Sequence, residues 1–178
     1  MSGHNKWSKI KNKKAVTDAA KSKIFSKMAR LIATASKETK GDVSSPTLRA
    51  VIDKAKEYNM PTDNIGRAVK KGVSADAEAM EAVTYETYGP GGTAIVIEAL
   101  TSNRNKAAQE VKHILSNHGL ELARPGSALW AFTKEPVTND LKPTITVPLA
   151  EEDGNKLGEL VEELEDNDEV QNVYTNAE

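Results

Sequence analysis

The 178-residue chain has no cysteine. That removes disulfides, thiolate zinc sites and thiol catalysis in one step. No run of about 18 apolar residues occurs, so no membrane-spanning helix is expected, and the cationic start lacks the apolar stretch of a signal peptide. The expected location is the cytoplasm. The three histidines, His4, His113 and His118, are too scattered for a metal site; on one helix, His113 and His118 would point about 140° apart. The motifs of common catalysts are missing as well. There is no G-x-S-x-G, no H-E-x-x-H, no Walker loop and no G-x-G-x-x-G after a strand, and Asp153-Gly154-Asn155 lacks the ligand spacing of a calcium loop. Neither an enzyme, a metal nor a cofactor is expected.

Acid is absent from one stretch in particular. Gly3-His4-Asn5-Lys6-Trp7-Ser8-Lys9-Ile10-Lys11-Asn12-Lys13-Lys14 carries five lysines, a histidine and an indole, with little apolar surface from which to build a core. The rest of the chain extends this asymmetry. Residues 1–72 hold 17 Lys and Arg against 6 Asp and Glu, a balance of +11, and residues 73–178 hold 7 against 20, a balance of −13. The basic half suits a polyanion, and the acidic half suits solvent or a basic partner. Mutual docking of the two halves is the alternative.

From Asp18 to Glu38, Ala20, Ile24, Met28, Leu31 and Ala35, with Phe25 and Ile32 beside them, recur at helical spacing. Lys23, Lys27, Arg30 and Lys37 form a second stripe about 120° away, giving one buried face and one cationic ridge. Gly41 to Pro46 reads as a loop. A short helix through Leu48, Val51, Ile52 and Ala55 ends at Asn59, before Pro61. A third helix is expected to start with Thr62 or Asp63 as N-cap, to turn Ile65, Ala68 and Val69 inward, and to stop at Gly72 as a C-terminal cap. Arg67, Lys70 and Lys71 lie opposite its apolar set. They suit a phosphate surface, although the helix macrodipole alone accounts for Lys70 and Lys71. Residues 1–72 are thus expected to be a basic helical domain, followed by a linker over 73–81.

The period then switches to that of strands. Val83–Tyr88 and Ala94–Leu100 flank Gly89-Pro90-Gly91-Gly92, which serves either as a plain hairpin turn or as bare backbone approaching a nucleic acid. Ser102 or Asn103 caps a helix to Asn117 that ends at Gly119; Arg104 in its first turn opposes the dipole preference. Strands are expected at Ala128–Thr133, Thr144–Pro148 and Val170–Thr175, a loop at 136–143, and an acidic helix at Glu151–Asp166 with Leu157, Leu160, Val161 and Leu164 inward. With Val83–Tyr88 set aside, the order strand-helix-strand-strand-helix-strand gives a ferredoxin-like antiparallel sandwich over residues 82–178. The expected fold class is α+β.

Several short motifs, taken in order, resemble the YebC/PmpR family, whose mitochondrial relative is the translational activator of cytochrome c oxidase. They are Gly3-His4-Asn5-Lys6-Trp7, Lys23-Ile24-Phe25-Ser26-Lys27, Leu48-Arg49-Ala50, Asn59-Met60-Pro61 with Ile65-Gly66-Arg67-Ala68, Tyr85-Glu86-Thr87-Tyr88-Gly89-Pro90-Gly91-Gly92, Asn103-Arg104-Asn105, and Asp168-Glu169-Val170-Gln171-Asn172-Val173-Tyr174-Thr175-Asn176. Family members usually insert a further α+β domain after the segment matching Ala128–Thr133; here only Glu135–Pro143 stands in its place.

The resemblance implies a non-enzymatic cytoplasmic regulator of gene expression, in one of two versions. One is a DNA-binding transcriptional regulator, the other a ribosome-associated translation factor. A further alternative, from another class, is an interaction module whose ferredoxin-like half binds a protein or a small metabolite. The sequence favours structured RNA, with ribosomal RNA or tRNA as partner, because a lysine-rich leader with Trp7 and His4 suits phosphates and unpaired bases. The candidate contacts are His4, Lys6, Trp7, Lys9, Lys11, Lys13, Lys14, Lys23, Lys27, Arg30, Arg67, Lys70 and Lys71, with Gly89 to Gly92 as a backbone approach. Trp7 as a hydrophobic plug on the helical domain is the competing assignment.

Overall fold

The computed structural model describes residues 18–178. The chain divides into two compact units, the division falling between Met80 and Glu81.

The first unit is helical: α1 (Asp18–Glu38), α2 (Pro46–Glu57) and α3 (Thr62–Gly72). The i, i+4, i+7 rhythm of α1 buries Met28, Ile32 and Ala35, which pack with Leu48 and Ala55 of α2 and with Ile65 and Ala68 of α3. Asn59, at φ +59°, turns the chain after α2 so that Met60 is buried in the same core. Two expectations for α3 change. Its N-cap is Pro61 and no side chain caps it. Gly72 is its last helical residue rather than a left-handed cap, and its missing side chain serves packing, since a β-carbon there would lie 2.7 Å from Ser36 Cβ. Ser36, fully buried on α1, donates its hydroxyl to the carbonyl of Val69 at 2.7 Å. Beyond α3, Lys37 Nζ donates to the carbonyl of Ala77 at 3.1 Å.

The second unit is α+β. β1 (Glu81–Tyr88), β2 (Ala94–Thr101) and β5 (Val170–Thr175) form an antiparallel sheet in the order β1-β2-β5, with β1 and β2 in register from Glu81↔Thr101 to Tyr88↔Ala94. Helices α4 (Arg104–Asn117) and α5 (Glu151–Asp166) lay Val111, Ile114, Leu115, Leu157, Leu160 and Leu164 onto one face, over Ile95 and Ile97 of β2. On the other face Ala94 and Val96 meet Ala128, Ala131, Phe132 and Leu141. With both its faces covered, β2 runs apolar from Ala94 to Ile97 rather than alternating. Asn103 caps α4, its side chain accepting from Lys106 N–H, and Arg104 answers Glu81 at 2.5 Å, which offsets its unfavourable place in the first turn.

The α+β class and the two helices on an antiparallel sheet stand, but strand membership departs from the split-βαβ order. Val83–Tyr88 cannot be set aside, because it pairs with β2 along its whole length. Ala128–Thr133 is mostly not strand: residues 129–131 coil into a 3-10 turn, since the N–H groups of Ala128 and Leu129 bind the Glu86 carboxylate instead of a neighbouring strand. β3 (Phe132–Lys134) pairs with β4 (Leu141–Pro143), so the end of the expected loop is the second strand of a hairpin. Glu135 closes that hairpin through Lys142 Nζ and the Thr138 hydroxyl, with Asn139 at φ +61°. Thr144–Pro148 is not a strand and contributes one parallel bridge, Val147 to Ala177. The prolines at both its ends lack donors, and Asn176 takes over locally: its Oδ1 accepts from Ala94 N–H at 2.8 Å and its Nδ2 donates to the carbonyl of Ile145.

Candidate nucleic-acid interface

The surface that gathers candidate residues lies on the helical unit. Between α1 and α3 opens a cleft of about 370 Å³, with Phe25, Ala29, Met60 and Ala68 as an apolar floor. Ser22 and Ser26 edge it from α1, and Asn64, Arg67 and Lys71 edge it from α3. Local helix geometry explains the selection. Positions 64, 67, 68 and 71 of α3 share one face by i, i+3, i+4 spacing, as do 22, 25, 26 and 29 of α1. Asn64 Oδ1 accepts from Arg67 Nη2, which fixes the guanidinium at the rim.

Arg67 and Lys71 are therefore brought together, and Lys70, about 100° around α3 from Lys71, is not. Lys23, Lys27 and Arg30 follow Ser22, Ser26 and Ala29 by one residue each, so they form a cationic ridge about 100° around α1 from the cleft edge and, like Lys70, do not line the cleft. Lys23 is exposed, and Lys27 and Arg30 are half-buried. His4, Lys6, Trp7, Lys9, Lys11, Lys13 and Lys14 lie outside the described residues. Sequence reading missed Phe25, Asn64, Ser22 and Ser26 as members of the cleft. The signal available for them was the Lys23-Ile24-Phe25-Ser26-Lys27 motif, which interleaves an aromatic and a hydroxyl with two lysines.

The glycine turn belongs to the second unit. Pro90–Gly92 forms a 3-10 turn with Gly91 at φ +68° and Gly92 at φ +76°. At two of its positions the close approach is to the protein itself: a β-carbon on Gly89 would stand 2.6 Å from Ile95 Cδ1, and one on Gly91 would strike Leu149. Gly92 has open space in front of it. His118 binds Glu163 at 2.7 Å across α4 and α5, and His113 is exposed.

Sequence reading also passed over the anchor beside this turn. Glu86, in β1, is buried and accepts from the N–H groups of Gly126 at 2.6 Å and of Ala128 and Leu129 at 2.8 Å. Burial pushes its carboxyl pKa up, but the three amides together outweigh it and leave the pKa below the usual carboxylate range.

With this geometry, comparison with known proteins is decisive. The family model for the TACO1/YebC protein N-terminal domain matches residues 5–75, and that for the TACO1/YebC second and third domain matches 80–139 and 135–177. The chain belongs to the TACO1/YebC family. The two stretches of the second match join within the β3–β4 hairpin, where the turn closed by Glu135 takes the place of longer sequence.

Against two curated relatives this chain is the shorter one. A probable transcriptional regulatory protein of Thermoanaerobacter pseudethanolicus is 36% identical over 239 aligned positions, covering all of this chain and 97% of that protein. One from Fervidobacterium nodosum is 50% identical over 137 residues, 76% of this chain, and there the match spans only about half, 54%, of the relative. Among solved structures, a conserved hypothetical protein from Aquifex aeolicus superposes with a TM-score of 0.77 at 29% identity, covering 90% of this chain and 91% of that one.

Proposed function

We propose that this TACO1/YebC chain is a non-enzymatic regulator of gene expression that binds nucleic acid through its helical unit, and that its target is RNA on or near the ribosome. The observation that carries this reading is the α1–α3 cleft, an apolar floor containing Phe25 with the cations Arg67 and Lys71 together on its α3 edge. Cations along one edge hold phosphates, and an apolar, aromatic floor accepts a base turned out of its stack. A rigid duplex presents its bases edge-on in a groove, so it uses such a floor poorly. The leader lysines and Trp7 extend the same chemistry.

The names of the relatives, probable transcriptional regulatory proteins, favour a second reading, in which the polyanion is DNA. Competition separates the two. A labelled structured RNA bound to the full chain should be displaced by unlabelled RNA far better than by duplex DNA of equal length. Sedimentation of tagged protein from lysate should place it with ribosomal subunits in a nuclease-sensitive manner. Equal displacement by duplex DNA, with no ribosomal comigration, would transfer the reading to DNA.

A further inference from the structure

Trp130 is 57% exposed, and Tyr88 and Leu129 beside it are each 39% exposed. The two rings are held in one arrangement. Trp130 Nε1 donates to Tyr88 Oη at 3.0 Å, and the Tyr88 hydroxyl donates to the carbonyl of Ser127. Beneath the same turn, Glu86 grips the amides of Gly126, Ala128 and Leu129. An indole and a phenol with their polar handles already satisfied offer a partner their ring faces rather than hydrogen bonds. Exposed large apolar side chains fixed in this way mark an interaction surface.

The charge around the pair selects the partner. Glu86 stays ionised, and its partners are amides rather than a cation, so a negative charge sits one residue from Trp130. In the sequence Arg124 and Lys134 flank the turn and Glu121 precedes it, while residues 73–178 as a whole carry a balance of −13. The Glu86 carboxylate held by amides beneath the turn repels a phosphate and draws a cation. The negative face of an aromatic ring acts in the same sense.

We propose that the Tyr88–Trp130 pair is a docking site for an arginine or lysine side chain on a basic, extended segment of a partner protein. The site is separate from the nucleic-acid interface and does not depend on that assignment. Arginine stacks flat on the indole, and the acidic unit attracts the remaining positive charge of the segment.

The test uses the full chain labelled with 5-fluorotryptophan, whose two resonances, Trp7 and Trp130, are assigned with Trp130→Phe. The probes are a short alternating Arg-Pro peptide, which remains extended, its Gln-Pro counterpart, and a short oligouridylate. The Arg-Pro peptide should move the Trp130 resonance and the Gln-Pro peptide should not. Trp130→Ala should weaken peptide binding about 2- to 30-fold, the range of a cation–π contact, with Trp130→Phe losing less. RNA affinity should be unchanged in both variants, so failure of the RNA reading leaves this test intact. Movement of Trp130 with oligouridylate in place of the peptide, or no movement with Arg-Pro at millimolar concentration, overturns the proposal. These outcomes are read on the unsubstituted chain and hold even if Trp130→Ala disturbs the turn.

Discussion

Gly72 lies against Ser36: a β-carbon built on the glycine would stand 2.7 Å from that of the serine, and closer still to the carbonyl oxygen of Ala33. The last turn of α3 thus runs backbone to side chain against α1, and this crossing keeps the two edges of the cleft at a fixed separation. Gly72→Ala should destabilise the helical unit by about 1–3 kcal/mol through overpacking. Gly66, on the same helix, has nothing within 4 Å of its would-be β-carbon. Gly66→Ala should stabilise by about 0.5–1 kcal/mol from helix propensity alone. Thermal denaturation of the two variants side by side checks the opposite signs.

Glu86 gives a pH dependence with a definite direction. Its folded pKa lies below the ordinary value of 4.5, because three amide donors outweigh burial. The stabilisation is therefore complete above that ordinary value and is lost as pH falls through the folded pKa. Amide exchange at Gly126, Ala128 and Leu129, corrected for its intrinsic pH dependence, should show protection that declines in acid below about pH 4.5. Glu86→Gln should lower protection at neutral pH by about 1–3 kcal/mol and remove that acid dependence. Equal acid sensitivity in both proteins would contradict the assignment.

Asn176 is the corresponding anchor at the opposite edge of the sheet, beyond the end of β5. It is buried, with Ala94 N–H on its Oδ1 and the Ile145 carbonyl on its Nδ2. Asn176→Ala leaves a buried amide unpaired and should cost about 1–3 kcal/mol. Asn176→Asp retains the acceptor but loses the donor, so it should preserve protection at Ala94 while freeing the 144–148 segment. Hydrogen exchange resolved at Ala94 and Val147 distinguishes the two.

These anchors also mark where the sequence was legible. The bounds of α1 and α5 follow from sustained 3.6-residue periodicity, and those of α4 from its Asn103 cap and Gly119 at φ +71°. Long-range polar pairing leaves no such trace. Nothing near Glu86 in the sequence announces amide partners about 40 residues away, and without them Ala128–Thr133 reads as strand. Phe132–Lys134 and Leu141–Pro143 are too short to carry a period. In the cleft, Arg67 and Lys71 were legible as cations on α3. That they share a groove with Phe25 while Lys70 does not depends on how α1 crosses α3, which Gly72 permits and local pattern does not encode.

The central claim is that the α1–α3 cleft holds RNA, and the salt dependence of binding tests it most directly. With about six phosphate contacts, a plot of log affinity against log salt for the full chain should have a slope of about −4 to −5. In the Arg67→Ala, Lys71→Ala double variant the slope should be shallower by about 1.5, with affinity reduced throughout. Lys70, which does not line the cleft, should change the slope by less when replaced with alanine. A double variant with the slope and affinity of the unaltered chain would contradict the account.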